Sequence, residues 1–90
     1  MIRIHEGHRQ ITKMHWGLIP SWSKEPKAIY GTINARADTL ASKPAFRSAY
    51  KSRRCLVIAD GYYEWKAEGK KKLPFLYEVD GGKPLAFAGL

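Results

Sequence analysis

The stretch IADGYYEWK, residues 58–66, sets a single carboxylate, Glu64, among Tyr62, Tyr63 and Trp65. The Asp60-Gly61 corner makes the second half read as a strand. Period-two alternation then puts Tyr62, Glu64 and Lys66 on one face and Tyr63 and Trp65 on the other. Facing solvent, Glu64 is a surface acid beside Lys66 and contributes little. Facing a cleft walled by aromatics, its charged form is disfavoured, and the group suits general acid/base work. The residues taken alone favour the solvated arrangement.

Two further pairs carry chemical potential. Asn34 and Arg36 in "INAR" are two residues apart, on one face of a short extended piece. An Asn amide orients a reacting group by donating and accepting hydrogen bonds, and an Arg guanidinium matches a phosphate. An ordinary polar strand face is an equal reading. Trp16 and Trp22 bracket "GLIPS", where a tryptophan in a proline-containing loop can stack on a base. Core packing is the commoner fate for each.

Other chemistries find little support. His5-x-x-His8 is two ligands where a zinc site needs three or four, and no acid or cysteine spacing completes it. No phosphate-cradling glycine loop, GxSxG elbow or CxxC is present. The lone Cys55 lies in the apolar run "CLVIA" and reads as a core thiol, with no electropositive pocket evident to activate it. No metal and no cofactor is expected.

The elements that must position these residues follow from pattern and punctuation. Residues 1–5 and 10–18 read as two strands joined across "EGHRQ", and residues 19–32 as a loop with two prolines and a glycine. "SKPAFRSAYKSRR" is the best helix, about residues 43–52, with Ser42 as cap and Pro44 near the start. Phe46, Ala49 and Tyr50 form its inward stripe. Lys43, Arg47, Lys51 and Arg54 line the exposed face. "CLVIA" is a buried strand. "YYEWK", "PFLYEV" and "PLAFAGL" read as a three-strand meander with turns at "AEGKKK" and "DGG". The class is α+β, mostly antiparallel sheet with one short amphipathic helix.

A chain of 90 residues is one small domain or a piece of one, and the apolar run ending at Leu90 reads as a strand cut short. At 44% hydrophobic and 27% charged it is globular in composition. Sixteen basic residues against eight acidic give a net charge of +8, which attracts polyanions such as nucleic acid or an anionic membrane surface. A basic protein without such a partner has the same composition. One cysteine forms no internal disulfide, and no apolar stretch is long enough to span a membrane, so an intracellular protein, without a membrane partner, is the expectation.

Together, "WGLIPSW", "INARADT", "FRSAYKSRRCLVIADGYYEW" and "LPF", in that order, resemble the SRAP family, the SOS-response-associated peptidase domain. The resemblance runs from about Trp16 to Phe87. It implies binding of single-stranded DNA, especially at abasic sites, and covalent DNA–protein crosslinking in a bacterial cytoplasmic protein. It places Asn34 and Glu64 in the active-site pocket and Arg36 on DNA phosphate. Trp22 matches an aromatic that wedges against bases, and Lys43 and Arg47 would follow the backbone. In the family, a cysteine directly after the initiator Met is freed by autocatalytic removal of that Met. Its amine and thiol then close a thiazolidine on the ring-opened sugar.

Here residue 2 is Ile2, Cys55 matches a core cysteine of the family, and no histidine matches the catalytic one. The resemblance therefore implies the central part of a single SRAP domain over residues 1–90, incomplete at both ends and inactive alone in crosslinking. A noncovalent single-strand-binding module is the alternative, and a vestigial fragment the third.

Overall fold

The protein is represented by a computed structural model, which describes residues 1–27 and 31–90. It forms two compact units, Met1–Leu56 with Ala88–Leu90, and Val57–Phe87. Among the described residues, one helix, α1 (Pro44–Ser52), accompanies six strands: β1 (Ile2–His5), β2 (His8–Ile11), β3 (Cys55–Ala59), β4 (Gly61–Glu68), β5 (Lys71–Glu78) and β6 (Leu85–Gly89). Four strands form a sheet in the order β2-β1-β3-β6, and β4 pairs with β5 alone. The pairings given by register are antiparallel, so the α+β expectation holds.

The first hairpin is tighter than its sequence suggests. Only Glu6 and Gly7 form the turn, at φ 50° and 78°. Two consecutive positive φ values are the two-residue geometry whose twist matches a hairpin. Pairing therefore starts at once, His5 opposite His8, and ends where Ile11 meets Ile2. Beyond the strands, the last bonded pair of the ladder is Met1 with Thr12, whose N–H donates to the Met1 carbonyl and whose carbonyl accepts from the Met1 amine, each at 2.9 Å. The expected strand over residues 10–18 thus shrinks to Ile11 at its C-terminal end, and residues 12–18 are loop.

The loop expected over 19–32 is irregular where described; its residues 28–30 lie outside the described residues. A bond from the Leu18 N–H to the Thr32 carbonyl, 3.0 Å, ties its two ends together. Thr32 is buried, at 6% exposure.

Helix α1 begins one residue later than a Ser42 cap requires. The Ser42 hydroxyl donates to the Thr39 carbonyl instead (3.0 Å), and Lys43, with φ −62° and ψ 126°, takes the N-cap position without a side-chain cap bond. Pro44 supplies the first turn, where its missing N–H costs nothing. Phe46 and Ala49 are buried, as the inward stripe predicts. Tyr50 is not: 43% of it is exposed. Strand β3 is also half-buried where a buried strand was expected, because Leu56 and Ile58 turn outward.

The expected meander divides. β4 and β5 pair over their full length, from Gly61 opposite Glu78 to Glu68 opposite Lys71, around a Gly69-Lys70 turn with Gly69 at φ 60°. The third strand leaves. After one bridge between Val79 and Lys83, Pro84 offers no N–H to continue that ladder. β6 joins the sheet beside β3.

Candidate functional site

The Met1–Leu56 unit holds five of the six expected site residues. Trp22 is the third residue of a turn closed by the Ser23 N–H on the Pro20 carbonyl at 3.0 Å. Pro20 is buried and anchors that turn, while Trp22 stands 57% exposed. This is the exposed loop tryptophan of the stacking reading, and Trp16 is likewise exposed.

"INAR" is not a strand. Ile33 and Asn34 bend, and the Arg36 carbonyl accepts from the N–H groups of Thr39 (3.2 Å) and Leu40 (3.0 Å), curling the chain into turns. Asn34 and Arg36 therefore do not share a strand face, although both are exposed. The Arg36 guanidinium grips Asp38 through two bonds, Nε to Oδ1 at 3.2 Å and Nη2 to Oδ2 at 2.8 Å. That fork holds the Asp38 carboxyl below the usual aspartate range, with the Lys43 charge adding to the effect. The same fork raises Arg36 further above its already high value.

From Thr39 the turns run directly into α1, whose Lys43 carbonyl accepts from the N–H groups of Phe46 and Arg47. Lys43, Arg47, Lys51, Arg53 and Arg54 are all exposed, and no acidic residue occurs between positions 43 and 54. Lys51 in the last turn is favourably placed against the helix dipole. Lys43 at the opposite end has no such compensation. A run of this kind attracts an anionic polymer and repels other cations.

Glu64 lies in the other unit, on β4, directly opposite Phe75. It is exposed, with no hydrogen bond or ion pair to any described residue, and the Lys66 pairing considered from sequence does not form. Its setting is nonetheless aromatic: Glu64, Trp65, Lys66, Phe75 and Tyr77 line an open groove of about 330 Å³. Tyr62 stacks on Tyr77 with ring centroids 5.4 Å apart and meets Phe87 edge-on at the same separation. Phe75 and Tyr77 escaped the sequence reading because only the β4–β5 register places them across from Glu64 and Tyr62. A carboxylate in such a groove can exchange protons with a bound group while aromatic faces hold it.

His5 and His8 are cross-strand partners at the first turn. No cluster of three or more His, Cys, Asp or Glu capable of holding a metal ion occurs among the described residues. No helix of the described residues is long and apolar enough to cross a membrane.

The SOS response associated peptidase (SRAP) family model matches residues 1–90. Abasic site processing protein YoqW of Bacillus subtilis is 45% identical over 89 residues, which are 97% of this chain and 40% of that protein. Abasic site processing protein HMCES of Xenopus tropicalis is 45% identical over 71 residues, covering 74% of this chain and 21% of its own length. A crystal structure of a protein from Bacteroides thetaiotaomicron superposes with a TM-score of 0.69 at 38% identity, over 81% of this chain and 33% of that one. The chain thus spans about two-fifths of the length of the Bacillus relative. It belongs to the SOS response associated peptidase (SRAP) family.

Proposed function

We propose that this chain contributes the DNA-binding surface and two catalytic residues, Asn34 and Glu64, of a protein that senses abasic sites in single-stranded DNA and links to them covalently. The observation that carries the reading is the 45% identity, over 97% of this chain, to a relative named as an abasic site processing protein. The net charge of +8 and the acid-free basic run of α1 support a nucleic-acid partner independently.

Each residue has a role in this reading. Lys43 and Arg47 follow the phosphate backbone. Arg36 contacts a phosphate near the lesion, and Trp22 stacks on a neighbouring base. A ring-opened abasic sugar presents an aldehyde. Condensing an amine with it expels water and gives a Schiff base, and a thiol on the same residue then adds to the imine carbon. Glu64 would donate and recover protons in ring opening and dehydration, while Asn34 orients the amine. The amine and thiol must come from an N-terminal cysteine.

Position 2 here is Ile2, paired in β1 with Ile11 and Leu56. That observation favours the second reading for the 90 residues by themselves, noncovalent binding of single-stranded DNA. Both readings require binding, so titration of a labelled single strand at several salt concentrations tests them. Affinity should fall by about 0.7 log units per phosphate contact for each log unit of salt. No binding at low salt, or binding indifferent to salt, removes both.

A further inference from the structure

Beside the basic face of α1 is a side chain that the helical pattern assigns to the core and the fold leaves outside. Tyr50 shares the inward stripe with Phe46 and Ala49, which are 5% and 1% exposed, yet it remains 43% exposed. It lines an open groove of about 550 Å³ together with Ala41, Arg47, Ser48 and Lys51. Its volume lies within the range of small-ligand sites, roughly 300 to 1,000 Å³, although the groove is open to solvent.

The spacing of these residues is suited to one nucleotide. Arg47 and Lys51 are four residues apart and so neighbours on the helix surface, and Tyr50 is three residues from Arg47. Two cations and one aromatic ring therefore border the same groove. Ser48, whose Oγ accepts from Arg53 Nη2 at 3.3 Å, brings a third cation to its edge. No acidic side chain lines the groove. A neutral apolar occupant would leave the cations unanswered. An anion without an aromatic part would leave the exposed phenol ring unused. Single-stranded DNA supplies both a phosphate and a planar base.

We infer that this groove is a nucleotide subsite, in which Tyr50 stacks on a base of single-stranded DNA while Arg47 and Lys51 hold the adjoining phosphate. The assignment rests on the single-strand reading above and adds Tyr50 and Lys51 to its contacts. It also makes part of the binding energy depend on an intact base beside the lesion.

The test uses the 90-residue protein and two fluorescein-labelled single strands of equal length. One is oligothymidylate; the other is a base-free chain of tetrahydrofuran phosphates. Tyr50→Ala should weaken oligothymidylate binding by about fivefold to a hundredfold, the equivalent of ~1–3 kcal/mol for one stacked base. It should leave the base-free strand bound as before, and Tyr50→Phe should keep both affinities within about twofold. Lys51→Ala should lower the salt slope for both strands by about 0.7.

If Tyr50→Ala weakens both strands equally, Tyr50 supports the helix and the stacking role is overturned. If it weakens neither, the inference also falls, while the broader single-strand reading stands. If the unaltered protein binds neither strand at low salt, both fall together.

Discussion

Arg36 has two anions competing for it: Asp38, which holds its guanidinium through a two-bond fork, and the phosphate that the proposed function assigns to it. Both partners of the fork are largely exposed, at 76% and 59% for Arg36 and Asp38, so the pair stabilises the fold only slightly. Its consequence is for binding. Asp38→Asn removes the competing charge, and we expect tighter binding of single-stranded DNA, with a salt slope steeper by up to about 0.7. Unchanged affinity and slope would mean that Asp38 does not compete with a phosphate for Arg36. The pH dependence has a definite sign. The Asp38 carboxyl is held below its ordinary value of about 3.9, so the fork is intact above that value and lost only as pH falls through the lower, folded value. In a carboxyl NMR titration, Arg36→Ala should move the Asp38 midpoint upward. The proposed function gives Trp22 a different kind of contact. Standing 57% exposed on its turn, it should lose ~1–3 kcal/mol of single-strand affinity as Trp22→Ala, with little effect on the salt slope. A large change in slope with that variant would reassign Trp22 from stacking to shaping the basic surface.

At the scale of elements, the β4–β5 hairpin depends on a close backbone approach at its open end. A Cβ added to Gly61 would lie 2.9 Å from the Tyr77 carbonyl oxygen and 3.2 Å from a Leu76 methyl. Backbone cannot yield as a flexible side chain does, so Gly61→Ala should destabilise the hairpin by about 1–3 kcal/mol. Amide exchange along β4 and β5 should quicken accordingly, and a wild-type exchange profile would refute the packing argument. The Asp60-Gly61 corner was legible because a glycine after an acid punctuates two apolar runs. The helix was equally legible, from Pro44 and the Phe46–Ala49 spacing. Partners were not. The divided meander, the curled "INAR" segment and the shortened second strand all depend on which backbone groups find which others across the fold. Alternation along one strand does not encode that. The same limit applies to the site: Glu64, Trp22 and the basic helix could be read as residue types in context. Phe75 and Tyr77 became visible beside Glu64 only through register, and Tyr50 outside the core only through burial.

For the whole molecule, the decisive question is whether these 90 residues can themselves carry out the covalent step proposed above. A thiazolidine needs a primary amine and a thiol on one residue, because the imine carbon must bond to both. In this chain the two groups are on different residues. The Met1 amine donates to the Thr12 carbonyl at 2.9 Å, and the Cys55 thiol sits half-buried on β3, opposite Arg3, with its own nitrogen in a peptide bond. Cys55 can at most add reversibly to an aldehyde. We therefore expect the protein, incubated with abasic single-stranded DNA, to give a salt-sensitive complex and no band shift that survives denaturing electrophoresis. Joining these residues to a segment that begins with the family's cysteine, and to one that supplies its histidine, should produce a denaturation-resistant adduct. In that protein Glu64→Ala should slow adduct formation, because dehydration of the first addition product loses its proton donor. Asn34→Ala should lower the rate by misplacing the amine. Neither change should alter the salt slope of binding, since neither side chain is assigned to a phosphate. A stable adduct from the 90 residues themselves, mapped to Cys55, would overturn both the mechanism and the division of labour it implies.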